Sequence, residues 1–153
     1  WEGNEQQAIP LYYEQVCGLL NGERNKELGA FEKWDFQKFQ PDVIVVNLGT
    51  NDGSGTKDME KVGKAVEDFL KKLRDYNPEG YILWCYGMLG NGIQPTLENA
   101  IQNYKVKSGD ERVKFVKLPD TLEGEFGSRQ HPGQKSHEKT AKVLVEEIRA
   151  IVG

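Results

Sequence analysis

No stretch of this 153-residue chain approaches the roughly 20 apolar residues that a membrane-spanning helix needs. Basic residues are not in excess either. The formal net charge is −4, which gives no electrostatic reason to bind nucleic acid or an anionic membrane. Phosphate-cradling patterns are also missing. Gly53-Ser54-Gly55 is too short for a dinucleotide fingerprint or a phosphate loop, which speaks against a flavodoxin-like nucleotide binder. Histidine and cysteine are scarce, with two of each. No pair of cysteines or carboxylates stands at ligand spacing from His131 and His137, so neither a zinc site nor any cofactor is expected. Cys17, in a helical stretch, and Cys85, in a strand-like one, read as buried free thiols; a disulfide between them depends on geometry. Apolar residues make up only 37% of the chain. They cluster into clear strands and helices, which argues against disorder.

What is present starts with Pro41-Asp42-Val43-Ile44-Val45-Val46-Asn47-Leu48, followed by Gly49-Thr50-Asn51-Asp52. An unbroken β-branched run of this kind reads as a strand over 43–48, buried on both faces as in a parallel sheet. Ligands of such sheets sit beyond the carboxyl ends of the strands, where Asn51 stands. Further along, Met59, Val62, Val66, Phe69 and Leu73 recur at helical spacing. Strands are expected over 81–86 and 113–118. Helices are expected over 9–20, 96–104 and 133–152, the first carrying Pro10 in its opening turn. Residues 21–33 read as a loop or short helix. Strand and helix alternate, so the fold class is α/β with right-handed crossovers. Three strands are few for a doubly wound fold, and 43–48 looks too apolar for an edge. At least one further strand is expected beside it.

These segments resemble the SGNH (GDSL-type) hydrolase superfamily. Gly49 to Asp52 matches its Gly-x-Asn-Asp block, and His131-Pro132 before the last helix matches its histidine block. The nearest branch is carbohydrate esterase family 2. Trp34-Asp35-Phe36, Tyr86-Gly87-Met88-Leu89-Gly90 and the spacing from His131-Pro132 to His137 are similar to that branch, and the likeness runs from about Ile9 to Val152. The resemblance implies a three-layer α/β/α flavodoxin-like fold around a parallel sheet. It also implies a serine esterase that deacetylates plant polysaccharides and is secreted or displayed on a bacterial surface. The family's Gly-Asp-Ser nucleophile block and its oxyanion glycine block are not found here. Ser54, Ser108, Ser128 and Ser136 do not occupy a strand-to-helix elbow. Residues 1–153 therefore read as the C-terminal part of one SGNH domain, partnered by a missing N-terminal part that carries the serine.

In that family the matching asparagine donates to the oxyanion and the matching histidine is the general base. On bare sequence Asn51 reads first as a turn residue or helix cap, and His131 as an idle loop histidine; the family match reverses both readings. Gly49 would permit the tight turn and Asp52 would brace it. The superfamily's orienting aspartate falls at Ser128 here. His131 would then be held by Asp120, Glu123 or Glu125, or by a backbone carbonyl as a Ser-His dyad, the arrangement we favour. Trp84, Tyr86 and Met88 share a face by strand alternation. Trp84 reads as core; Tyr86, Met88 and Leu89 are placed to wall an acetyl pocket. His137, aligned with Ala141, Leu144 and Ile148, reads as a core or supporting histidine. Two rivals are a catalytically inactive carbohydrate-binding relative and an SGNH lipase or thioesterase of another acyl range.

Overall fold

The computed structural model describes residues 8–17, 23–55 and 58–153. Three parallel strands, β1 (Val43–Asn47), β2 (Tyr81–Tyr86) and β3 (Val113–Lys117), pair in the order β1-β2-β3. Val43 lies opposite Tyr81, and Ile82 opposite Val113. Helix α4 (Met59–Tyr76) connects β1 to β2, and α5 (Gln94–Ser108) connects β2 to β3. The last helix, α6 (Gln134–Val152), follows β3. Short helices α1 (Ile9–Tyr12), α2 (Glu23–Glu27) and α3 (Thr50–Gly55) complete the elements.

The sheet separates two cores. On one face Val46, Ile82, Trp84 and Tyr86 pack with Val66, Phe69 and Leu73 of α4 and Leu97 and Ile101 of α5. On the other, Leu83, Cys85 and Val116 pack with Val143, Leu144, Ile148 and Ile151 of α6. This is the α/β/α layering that the family resemblance implies. Complete burial of a leucine such as Leu70, Leu73 or Leu83 is worth about 1.5–3 kcal/mol. The Asp58 carboxylate accepts from Lys61 N at 2.9 Å to begin α4. Gly109, left-handed at φ 71°, ends α5.

Four expectations need correction. The helix expected over 9–20 is a single turn. Glu14 to Cys17 instead pair with an antiparallel stretch: Val16 N bonds Glu32 O, Cys17 N bonds Ala30 O and Trp34 N bonds Glu14 O. Residues 18–22 lie outside the described residues. Cys17 is consequently half-buried and not helical; both thiols are free, and burial pushes that of Cys85 up to about 11. β1 is not covered on both faces. Val45 is 43% exposed, and among the described residues nothing pairs with its outer edge. Finally, α6 meets the sheet through Val143, Leu144, Ile148 and Ile151, with Ser136 and Thr140 buried at its start. His137 and Ala141 are exposed, so His137 is no core histidine.

Candidate active site

All three strands point their carboxyl ends to one edge, and the segments leaving that edge carry the candidate residues Asn51 and His131. After β1 the chain turns at Gly49, whose φ of 127° excludes ordinary side chains. Space excludes them too: a Cβ there would lie 3.2 Å from both Leu97 Cδ1 and Tyr86 Cδ2. Gly53 N bonds Gly49 O at 2.9 Å, closing the first turn of α3. Asn51, exposed, lines a cavity of about 200 Å³ together with Leu48, Gly49, Asp52 and Trp84. Ile9 and Pro10 of α1 close its far side. Trp84 Nε1 donates to Leu48 O at 3.3 Å, fixing the indole as part of that wall.

His131 sits at the end of the long loop after β3. The loop is pinned to the exit of β2 by Leu118 N to Tyr86 O (2.8 Å) and Thr121 N to Met88 O (2.9 Å). It then doubles back as an antiparallel bridge between Phe126 and Pro132. Gly127 N bonds His131 O at 2.7 Å and Gly133 N bonds Glu125 O at 2.8 Å. Residue 133 must be glycine, because a Cβ there would stand 2.6 Å from Glu125 O. Between the arms, Ser128–Gln130 form a 3₁₀ turn in which Arg129 (φ 54°) and Gln130 (φ 60°) are left-handed. Non-glycine residues hold that conformation only where the surroundings enforce it, commonly at functional sites.

The turn has a chemical result. It brings Arg129 O to 3.1 Å from His131 Nδ1. A carbonyl only accepts, so Nδ1 carries the hydrogen and Nε2 presents a lone pair outward. The acidic candidates are engaged elsewhere. Glu125 bonds Lys139 Nζ and Leu122 N, and the Lys139 contact, then Leu122 N–H, hold its carboxyl below the usual range. Asp120 accepts from Asn91 Nδ2 at 3.3 Å, and Glu123 is exposed.

The residues expected to wall a pocket are separated. Tyr86 packs with the α4 and α5 core, Met88 with the α6 core, and Leu89 is 41% exposed. Strand alternation fails after Tyr86 because Gly87 (φ 139°) and Met88 (φ 68°) both have positive φ, outside the β region. The cavity lies instead toward β1, where Leu48 and Trp84 were legible only as core. Ser54 and Ser108 donate to backbone carbonyls within their own helices, and Ser136 is paired with Thr121. Among the described residues no group of three His, Cys, Asp or Glu is placed to hold a metal ion.

Comparison with known proteins places this geometry. A cellulase/esterase (CelE) of Acetivibrio thermocellus is 34% identical over 128 residues, covering 79% of this chain and 16% of that protein. An acetyl xylan esterase (Est2A) from the rumen bacterium Butyrivibrio proteoclasticus superposes with a TM-score of 0.89 at 42% identity. It covers 94% of this chain and 45% of the other. A family two carbohydrate esterase from Clostridium thermocellum, solved in complex with cellohexaose, gives 0.73 at 31% identity over 79% of this chain and 39% of the other. The chain thus spans less than half the length of each of these relatives. The sequence profile of the GDSL-like lipase/acylhydrolases matches residues 12–144. That match takes in the parallel sheet and the Gly-Thr-Asn-Asp and His-Pro segments, and the chain belongs to the GDSL-like lipase/acylhydrolase family.

Proposed function

We propose that this chain supplies the general base and an oxyanion donor of a serine esterase that removes acetyl groups from plant polysaccharides. In this reading residues 1–153 are the C-terminal part of one SGNH domain, and the nucleophilic serine lies in a preceding segment. The observation that carries it is the 3.1 Å contact of His131 Nδ1 with Arg129 O. A histidine so held is a proton acceptor at Nε2 without any acid beside it. The relatives' names, cellulase/esterase and acetyl xylan esterase, support the substrate class. A cavity of about 200 Å³ beside Asn51 is below the range for drug-sized ligands and suits an acetyl group.

The chemistry follows. The serine hydroxyl attacks the acetyl carbonyl while His131 Nε2 takes its proton. Negative charge collects on the carbonyl oxygen, toward which the Asn51 amide donates. Collapse breaks the ester bond, and His131 returns the proton to the departing sugar oxygen. Water then attacks the acetyl carbon now bound to the serine, giving a proton to His131; the serine–acetyl bond breaks, acetate leaves, and His131 returns the proton to the serine oxygen. Arg129 O holds the Nδ1 hydrogen throughout. Enzymes acting on plant cell walls work outside the cell, which makes the protein secreted or surface-bound in this reading.

The test uses the complete polypeptide carrying this chain, with acetate release from acetylated xylan as readout. His131→Ala should abolish turnover. Asn51→Ala should lower kcat by about 10²–10³ with KM and Tm near wild type. Sugar binding without any ester hydrolysis would overturn the proposal in favour of an inactive binding relative. A preference for long acyl chains would overturn it in favour of a lipase or thioesterase.

A further inference from the structure

We infer that Tyr86 and Gly53 are positioning residues that set the orientation of Asn51, a role that rests on the oxyanion function proposed above. Gly49 stands just before α3 and Gly53 within it, joined by the 2.9 Å bond from Gly53 N to Gly49 O. Both approach Tyr86 closely. A Cβ at position 49 would stand 3.2 Å from Tyr86 Cδ2 and 3.3 Å from Cε2; one at position 53 would stand 3.3 Å from the Tyr86 hydroxyl and from Ile93 Cγ2. Within α3 Asn51 is two residues from Gly53, about 200° around the helix, so its side chain leaves from the side away from Gly53, and Asn51 lines the cavity.

The choice of glycine needs a cause at position 53. Its φ is not in the left-handed region, unlike that of Gly49. Glycine within a helix costs about 1 kcal/mol relative to alanine, and Gly53 is exposed, so alanine would be the ordinary occupant. What alanine would break is the contact with Tyr86 and Ile93. The tyrosine itself cannot yield easily: it is 3% exposed, at the end of the central strand, with its backbone O bound to Leu118 N. A methyl group at 53 requires this contact to give by a few tenths of an ångström; in this inference the turn gives, and Asn51 moves with it. Misplacement of about 1 Å can cost 10² in rate.

In the complete enzyme, Gly53→Ala should lower kcat about tenfold, with KM within twofold and Tm not reduced. Tyr86→Leu, which removes the ring from under both glycines, should do the same in whatever fraction folds. The deciding measurement is Gly53→Ala in an Asn51→Ala background. A residue that acts through Asn51 has nothing left to position, so the second change should cost less than twofold. Two results would overturn the inference alone: kcat of Gly53→Ala within twofold of wild type, or the same tenfold loss with Asn51 already gone. An Asn51→Ala enzyme with unchanged kcat would overturn both this inference and the oxyanion role beneath it.

Discussion

The two edges of the sheet are built differently. At the amino edge, Arg74 of α4 reaches the loops that enter β2 and β3. Its Nη1 donates to the carbonyls of Asn77, Pro78 and Gly80 at 2.8, 3.1 and 2.7 Å, and its Nε to Asp110 at 2.8 Å. Tyr104 adds a hydroxyl to the same carboxylate. The two charged side chains are 16% and 10% exposed. At the carboxyl edge the picture reverses. All three non-glycine residues with positive φ among the described residues, Met88, Arg129 and Gln130, lie there. So do the exposed His131 and Asn51, and a buried Asn91 Oδ1 with no hydrogen-bond partner. One edge satisfies its polar groups and fixes the strands; the other keeps strain and open valences where substrate would arrive.

The largest effect should come from breaking the satisfied edge. Arg74→Met strands a mostly buried carboxylate and several carbonyls. It should cost about 3–5 kcal/mol in denaturant unfolding, with kcat of the folded enzyme unchanged. A loss of kcat at full stability would erase the distinction between the edges. A smaller effect is expected from the acids near His131. Neutralising Asp120, Glu123 or Glu125 singly should each cost less than about tenfold in kcat, or ~1.4 kcal/mol, because Arg129 O already fixes the imidazole. A loss of three orders of magnitude from any one, with folding intact, would make that acid part of a triad.

The smallest effect is a pH dependence at the amino edge. Burial alone would raise the Asp110 carboxyl, but the Arg74 guanidinium, the Arg112 N–H and Tyr104 outweigh it and leave the group below its ordinary value. A carboxyl lowered on folding stabilises the protein above its unfolded pKa, about 3.9. That stability is lost as pH falls through the lower folded value. The Tm gap between wild type and Asp110→Asn should be constant from about pH 5 to 7 and narrow below about pH 4. A gap that widens toward low pH would mean the carboxyl is raised instead.

Much of this layout was legible because it depends on local pattern. The spacing of Val62, Val66, Phe69 and Leu73 marked α4, and Tyr81–Tyr86 matches β2 as read. Pairing of Gln15 with Lys33 is a tertiary event, and helical propensity alone pointed the other way. Met88 was assigned to the wrong face because alternation assumes β geometry, and Gly87 abandons it. His137 shows the limit of helical spacing: it shares the phase of Leu144 and Ile148, but it stands in the first turn of α6 and is exposed there. Asn51 and His131 were legible as motif residues. The left-handed turn that presents Arg129 O could not be read from Ser128-Arg129-Gln130, since none of these residues favours that conformation.

No two neighbouring strands of this sheet are joined by a hairpin. Each pair closes only after a whole helix has been threaded between them, α4 for β1 with β2 and α5 for β2 with β3. Entropy is lost on closing such long loops before any strand contact rewards it, so the sheet should assemble slowly relative to its helices. During that interval Val43-Ile44-Val45-Val46 is an unpaired β-branched segment with no charge to deter other chains. The yield of native protein is thus decided by how quickly β1 finds β2, and refolding should improve on dilution, which slows collisions between chains and leaves loop closure untouched.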